Sequence, residues 1–292
     1  MEHLVAYLQY LEYEKKYSPH TIDAYRRDLS EISDFLSGGE EVAVVVDFKA
    51  VRRWIVALVN KGDSARTVNR KIATLRSYCK YLLKKGIVDH SPMEKVSSLK
   101  TSKNLPVYVS NDNLDDMLDE EMTDAGDFKA VRDKMILELF YMTGIRLSEL
   151  IHLKDADVNI GAMTMKVLGK RNKERIIPLT AQFCQRLQYY ISLKKAEFPD
   201  VYLLFVLDSG KPLYSRWVQR LTSNKLGTVT SMQRRSPHVL RHSFATNVLN
   251  EGAELNAIKE ILGHSTLAAT QVYTHNSLKR IKKIYQQAHP RA

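Results

Sequence analysis

Residues 236–275 read SPHVLRHSFATNVLNEGAELNAIKEILGHSTLAATQVYTH, and four side chains in this stretch have types and spacing suited to chemistry: His238, Arg241, His264 and Tyr273. His238 and Arg241 stand at i and i+3, so a helix would present them on one face. None of the four is a carboxylate. The set is poor for holding a divalent metal and well suited to holding a phosphate. Guanidinium and imidazolium donors neutralise non-bridging phosphate oxygens. A tyrosine phenol can attack phosphorus and form a covalent ester, but with a free pKa near ~10 it needs cationic neighbours or a base to react near neutral pH.

Two helices must position these groups. Ser236 can cap the first and Pro237 suits its first position. Val239, Leu240, Phe244, Ala245, Val248 and Leu249 recur at helical spacing and would bury the opposite side. Residues 254–262 make a second, short helix stopped by Gly263, which leaves His264 projecting from a helix end.

The run His238-Val239-Leu240-Arg241-His242, followed by Leu262-Gly263-His264 and then Tyr273, resembles the active-site block of the tyrosine recombinases. In that family an arginine upstream completes the site, and Thr143-Gly144-Ile145-Arg146-Leu147-Ser148-Glu149-Leu150 matches the pattern around it. A lysine on a β-hairpin is also implied. Leu168-Gly169-Lys170-Arg171-Asn172-Lys173-Glu174-Arg175 matches that hairpin, with Lys170 in the lysine position and Lys173 as its lower-ranked rival. Order, spacing and all six residue types agree, and the resemblance spans nearly the whole chain. Within the family it is closest to the Xer branch, the bacterial recombinases that resolve chromosome dimers. One departure stands out: the residue after the lysine is often glycine in the family and is Arg171 here, which either stiffens the turn or adds a DNA contact.

The resemblance implies a fold and a reaction. The fold is mainly α with a small antiparallel β-sheet in the C-terminal domain, arranged as a two-domain DNA clamp. Arg146 and Arg241 would bind the non-bridging oxygens, where charge builds up. Lys170 would protonate the leaving 5′-oxygen, Tyr273 would be the nucleophile, His238 a general base or proton manager and His264 a phosphate hydrogen-bond donor. Glu149 would orient a neighbour, and His242, one helical step off the shared face, would be structural. The product would be a 3′-phosphotyrosyl DNA with a free 5′-hydroxyl, leading to strand exchange through a Holliday junction. No cofactor, metal or ATP is implied. The implied partners are a double-stranded recombination site, further subunits in a homotetramer or a heterotetramer with a paralogous recombinase, and a cell-division DNA translocase.

Composition bounds the partner independently. Lys and Arg total 44 against 33 Asp and Glu, a formal charge of +11, which favours a polyanion such as nucleic acid. The two cysteines, Cys79 and Cys184, are far apart and lack metal-site spacing. No stretch is long and apolar enough to span a bilayer, and the first residues lack the features of a signal peptide. A cytoplasmic protein without membrane contact is expected.

The chain opens with helical patterns over residues 3–16, 18–36, 47–58 and 64–85, which together predict an all-α DNA-binding domain over residues 1–96. The fourth pattern carries Arg66, Arg70, Lys71, Arg76, Lys80, Lys84 and Lys85 on or near one face. Of these, Arg66, Arg70, Arg76 and Lys80 are candidate DNA contacts, together with Arg171 and Lys173 in the hairpin; phosphate contacts of this kind carry affinity with little sequence information. Residues 97–106 (SSLKTSKNLP) form a polar linker. The catalytic domain spans 107–292, with strands near 157–160, 164–168 and 175–179, a short strand within 201–207 and a helix over 212–226 that contains Trp217. A last helix is expected from Ser277, apolar along Leu278, Ile281, Tyr285 and Ala288, and the resemblance implies that it docks on a neighbouring subunit.

Three other readings compete. A zinc hydrolase could use His238 and His242 at i and i+4, but Arg241 lies between them and the helical motif's glutamate is missing. A non-catalytic DNA-binding regulator would suit the basic helices without needing the six site residues. An integrase or excisionase of a mobile element would share the chemistry, although such proteins often carry an additional arm-binding domain.

Overall fold

The computed structural model describes residues 2–37, 47–101, 108–119, 127–169, 174–233 and 235–263. The chain divides into two compact units, Met1–Asn104 and Leu105–Ala292. It is mostly helical with one small three-stranded antiparallel sheet, the fold class expected from the sequence.

In the first unit, α1 (Glu2–Gln9) runs into a π-helical turn, Tyr10–Glu14, closed by Lys15 N–H donating to the Tyr10 carbonyl at 3.0 Å. Then follow α2 (Pro19–Ser37), α3 (Phe48–Asn60) and α4 (Ala65–Lys84). The starts of α3 and α4 are written locally. Asp47 accepts from Ala50 N–H at 2.6 Å and Ser64 from Thr67 N–H at 3.2 Å; such caps contribute about 1 kcal/mol each. Tyr7, Ile32, Val51, Trp54, Val68, Ile72 and Leu75 fill the core. One basic residue leaves the face the sequence assigned to it. Lys71 is 6% exposed and its ammonium lies 2.8 Å from Glu31 and 2.9 Å from Asp63. It pins α4 to α2 and to the turn before α4. Helical periodicity shows only that Lys71 lies near the basic stripe; the carboxylates of other elements draw it inward.

In the second unit, α5 (Asn111–Asp119) is followed by α6 (Phe128–Thr143), a helix buried on nearly every side. Its Ile136, Leu139, Phe140 and Tyr141 are 0% exposed, and α8 (Ala181–Glu197) and α10 (Pro237–Asn250) pack on it. Asp127 caps α6 by accepting from Lys129 N–H at 2.9 Å. The single-turn α7 (Leu147–Leu150) leads to β1 (Val158–Asn159), β2 (Thr164–Leu168) and β3 (Glu174–Pro178), in the order β1-β2-β3. Val167 pairs with Arg175 and Met165 with Ile177 across the β2–β3 hairpin. Thr180 caps α8, and α9 (Ser215–Val229) and α11 (Leu255–Leu262) are the remaining described helices of the unit.

Two sequence expectations shift here. Residues 201–207 make only isolated bridges, Leu203 to Lys154 and Val206 to Pro212. Because Pro212 is held in that bridge, the helix expected from 212 begins at Ser215. The segment's backbone is secured instead by buried side chains: Tyr190 donates to the Leu204 carbonyl at 2.9 Å, and Lys194 to the Leu203 carbonyl at 2.6 Å. Among the described residues, no helix is long and apolar enough to cross a membrane.

Candidate active site

The site is built where four helices end or begin. α6 stops at Gly144, whose φ of 57° is left-handed. A Cβ at that position would lie 2.6 Å from Phe244 Cδ1 and 2.8 Å from Leu262 Cδ2, so both the backbone conformation and the packing require glycine. The sharp stop places Arg146 two residues on, at the N-cap of α7. α10 starts at Pro237 after an extended Ser236, whose side chain makes no capping bond. His238 is exposed on its first turn, and Arg241, one turn later, is 8% exposed.

Arg241 reaches across to both helix ends. Its Nη1 donates to the Gly144 carbonyl and its Nη2 to the Leu262 carbonyl at 2.6 Å. Burial lowers its pKa to about 10, assisted by the positive charges of Arg146 and Arg175 and offset by Glu149. The group therefore stays cationic at neutral pH.

Arg146 is held by Glu149, one turn ahead. The carboxylate accepts from Arg146 Nη1 at 2.7 Å and from Arg146 N–H at 2.8 Å. Arg146 Nη2 also donates to the Gly263 carbonyl at 3.1 Å. Glu149 has a second clamp, Arg175 of β3, whose Nη1 and Nη2 meet the two carboxylate oxygens at 2.7 Å each. Arg175 Nε donates to the Ile261 carbonyl at 2.7 Å. Three successive carbonyls at the C-terminus of α11, those of Ile261, Leu262 and Gly263, thus each accept from a different arginine. The last carbonyls of a helix lack intrahelical partners and carry the negative end of its dipole, so they suit cations. With three guanidinium groups and one carboxylate, the cluster keeps a net positive charge where an anion can be received.

Burial alone would raise the Glu149 pKa. The Arg175 hydrogen bonds and charge, followed by the bonds from Arg146, outweigh it and lower the pKa from an ordinary 4.5 to about 2. A depressed carboxylate stabilises the fold fully above the unfolded value and progressively less as pH falls toward the folded one. Between pH 4.5 and 2 the protein should therefore lose about 3 kcal/mol through this group. Urea unfolding across that range should show a correspondingly flatter pH dependence in Glu149→Gln.

The structure brings Arg146 and Arg241 together at the end of α11, with His238 on the first turn of the helix that carries Arg241. Lys170, Arg171, Lys173, His264 and Tyr273, and the helix expected from Ser277, lie outside the described residues. Arg66, Arg70, Arg76 and Lys80 are exposed on α4 of the first unit. Two of them also have internal partners: Arg70 bonds Asp28, and Arg76 donates to the Val96 carbonyl at 2.6 Å. Sequence reasoning did not single out Arg175. A signal existed in the strand's alternation, because β3 turns Arg175 and Ile177 inward while Glu174 faces out. A charge on the buried side of a strand requires a partner. Among the described residues, no group of three or more His, Cys, Asp or Glu side chains is arranged to hold a metal ion.

Comparison with known proteins identifies the family. The phage integrase family matches residues 108–280, and the phage integrase N-terminal SAM-like domain matches residues 4–86. The tyrosine recombinase XerC of Azotobacter vinelandii is 37% identical over 290 residues, covering 99% of this chain and 96% of that protein. XerC of Bacillus subtilis (strain 168) is 35% identical over 297 residues, covering 98% and 95%. The fold is shared with the XerH site-specific recombinase bound to palindromic difH substrate (TM-score 0.71, 21% identity, 90% of this chain and 78% of that one). It is shared equally with the Tn1549 transposon integrase in complex with transposon right end DNA (TM-score 0.71, 20% identity, 96% and 98%). The chain belongs to the phage integrase family of tyrosine recombinases and is a site-specific DNA recombinase.

Proposed function

We propose that the protein cleaves and rejoins DNA through a 3′-phosphotyrosyl intermediate and a Holliday junction, resolving chromosome dimers at a dif-like site. The observation that carries this reading is the convergence of Arg146 and Arg241 on the last carbonyls of α11. Their guanidinium groups are oriented before any DNA arrives, so little reorganisation is needed when charge builds on the non-bridging oxygens. Tyr273 Oη attacks phosphorus and the bond to the 5′-oxygen breaks. The phenolic proton passes to His238, the leaving oxygen takes a proton from Lys170, and His264 donates a hydrogen bond to the phosphate. The ester conserves the energy of the broken bond, so rejoining reverses these transfers without ATP.

Residues 1–96, including Arg66, Arg70, Arg76 and Lys80, form the DNA-binding arm. Residues 97–106 act as a joint, and residues 107–292 carry the chemistry, with Arg171 and Lys173 as further DNA contacts. The chain works in the cytoplasm as a homotetramer on DNA, or as a heterotetramer with a paralogue, and a DNA translocase switches it on. Full-length similarity to proteins named XerC supports the chromosomal role over that of a mobile-element integrase.

The test is a nicked suicide duplex carrying candidate sites, incubated with the protein and chelator in the absence of ATP. A denaturant-resistant protein–DNA adduct is expected, and it should be lost in Tyr273→Phe. An adduct that persists in Tyr273→Phe overturns the choice of nucleophile. Preference for a mobile-element end over a dif-like site overturns the chromosomal role.

A further inference from the structure

We propose that Arg175 is a positioning residue of the recombination site: it locks Glu149 against Arg146 and ties the β-hairpin to the end of α11. The inference rests on the function proposed above. Arg175 is 3% exposed and Glu149 is 7% exposed. Each Glu149 oxygen serves two donors. One takes Arg175 Nη1 and Arg146 Nη1, both at 2.7 Å. The other takes Arg175 Nη2 at 2.7 Å and the Arg146 backbone N–H at 2.8 Å. The carboxylate is saturated, so its position, and through it that of the Arg146 guanidinium, depends on the Arg175 fork. A buried carboxylate served by Arg146 alone would compete with the phosphate for that arginine.

The third bond does separate work. Arg175 Nε holds the Ile261 carbonyl, 86 residues away in sequence. A Cβ at Gly263 would lie 3.1 Å from Arg175 Cδ, so the guanidinium stem passes tightly beneath the left-handed turn that ends α11. Lys170 lies five residues before Arg175 in the chain, and His264 comes immediately after Gly263. Arg175 is therefore the link through which strand β3 and the end of α11 keep a common register. Lysine can supply the charge but not the planar fork with its additional Nε donor.

Arg175→Lys keeps the charge and tests the fork. In the folded variant, exchange of the Arg146 amide hydrogen should speed up at least about tenfold, while amides of the β1–β2 pair stay protected. Adduct formation at saturating suicide duplex should slow at least about tenfold, with DNA affinity within about twofold of the parent. Glu149→Gln/Arg175→Met should be no slower than Arg175→Met alone, because the two residues act as one unit. Parental protection of the Arg146 amide in Arg175→Lys overturns the inference whatever the adduct assay shows. So does parental cleavage by Arg175→Lys, or a loss of rate that follows only the folded fraction in thermal melts. A parent protein that forms no Tyr273 adduct counts against the proposed function instead, leaving the exchange result to decide on Arg175.

Discussion

Arg241→Ala should slow single-turnover strand cleavage by about 10²–10³-fold, the loss seen when one preorganised donor to a developing oxyanion is removed. Arg241 is 8% exposed and joined to the ends of α6 and α11 through the Gly144 and Leu262 carbonyls. Little side-chain freedom remains to be lost when DNA binds. The variant loses a charge that is buried and aimed, and water entering the space cannot replace it at the same strength. DNA affinity should change much less, because a basic protein spreads its attraction over many phosphate contacts. The measurement is the rate of adduct formation on a suicide duplex at saturating protein, alongside a mobility-shift titration. Arg241→Lys should recover only a small part of the rate, since one ammonium cannot reach two carbonyls and a phosphate in a planar arrangement. Parental cleavage by Arg241→Ala would remove this residue from the chemistry.

Arg132→Ala should destabilise the second unit by about 3–5 kcal/mol. Arg132 is 0% exposed in the centre of that unit. Its Nε and Nη2 donate to Asp133 Oδ1 at 2.9 and 2.7 Å, and its Nη1 donates to the Val206 carbonyl at 3.1 Å and to Asp208 Oδ1 at 2.5 Å. The guanidinium carbon lies 4.6 Å from the Trp217 ring centre and 5.6 Å from that of Phe128. Truncation removes the filling between two aromatic rings and leaves the Val206 carbonyl without this donor. It also leaves Asp133 without its cation. Burial already raises the Asp133 pKa against the pull of Arg132, so the variant's carboxylate should titrate higher still. Asp208, mostly exposed, contributes little. Urea unfolding followed by circular dichroism measures the loss, and adding Asp133→Asn should restore part of it by removing the unpaired, partly buried charge. A loss below about 1 kcal/mol would show that solvent replaces the clamp.

Much of this architecture is local and was legible. Asp47, Ser64 and Asp127 start helices because a short side-chain oxygen answers a backbone N–H within three residues. Gly144 and Gly263 stop them because the left-handed turn costs glycine little. The period-two pattern of β2 and β3 gave the hairpin to within one residue of its observed bounds. Residue type and helical spacing nominated His238 and Arg241, and the family resemblance added Arg146.

What the sequence by itself determined is therefore most of the elements, the all-α beginning followed by helices and a small sheet, and the kind of anion the chain handles. What tertiary structure decided is who meets whom. Lys71 looked like part of a basic stripe and became a buried tether between elements. Trp217 had no assigned partner and lies over a buried arginine. Arg146 meets Gly263 across 117 residues, Arg241 meets Leu262 across 21, and Arg175 meets Glu149 across 26. Hydrophobic periodicity shows which face of an element is buried but not which carbonyl or carboxylate it will meet. Those meetings depend on how α6, α10, α11 and the hairpin pack together, and no window along the chain contains them all.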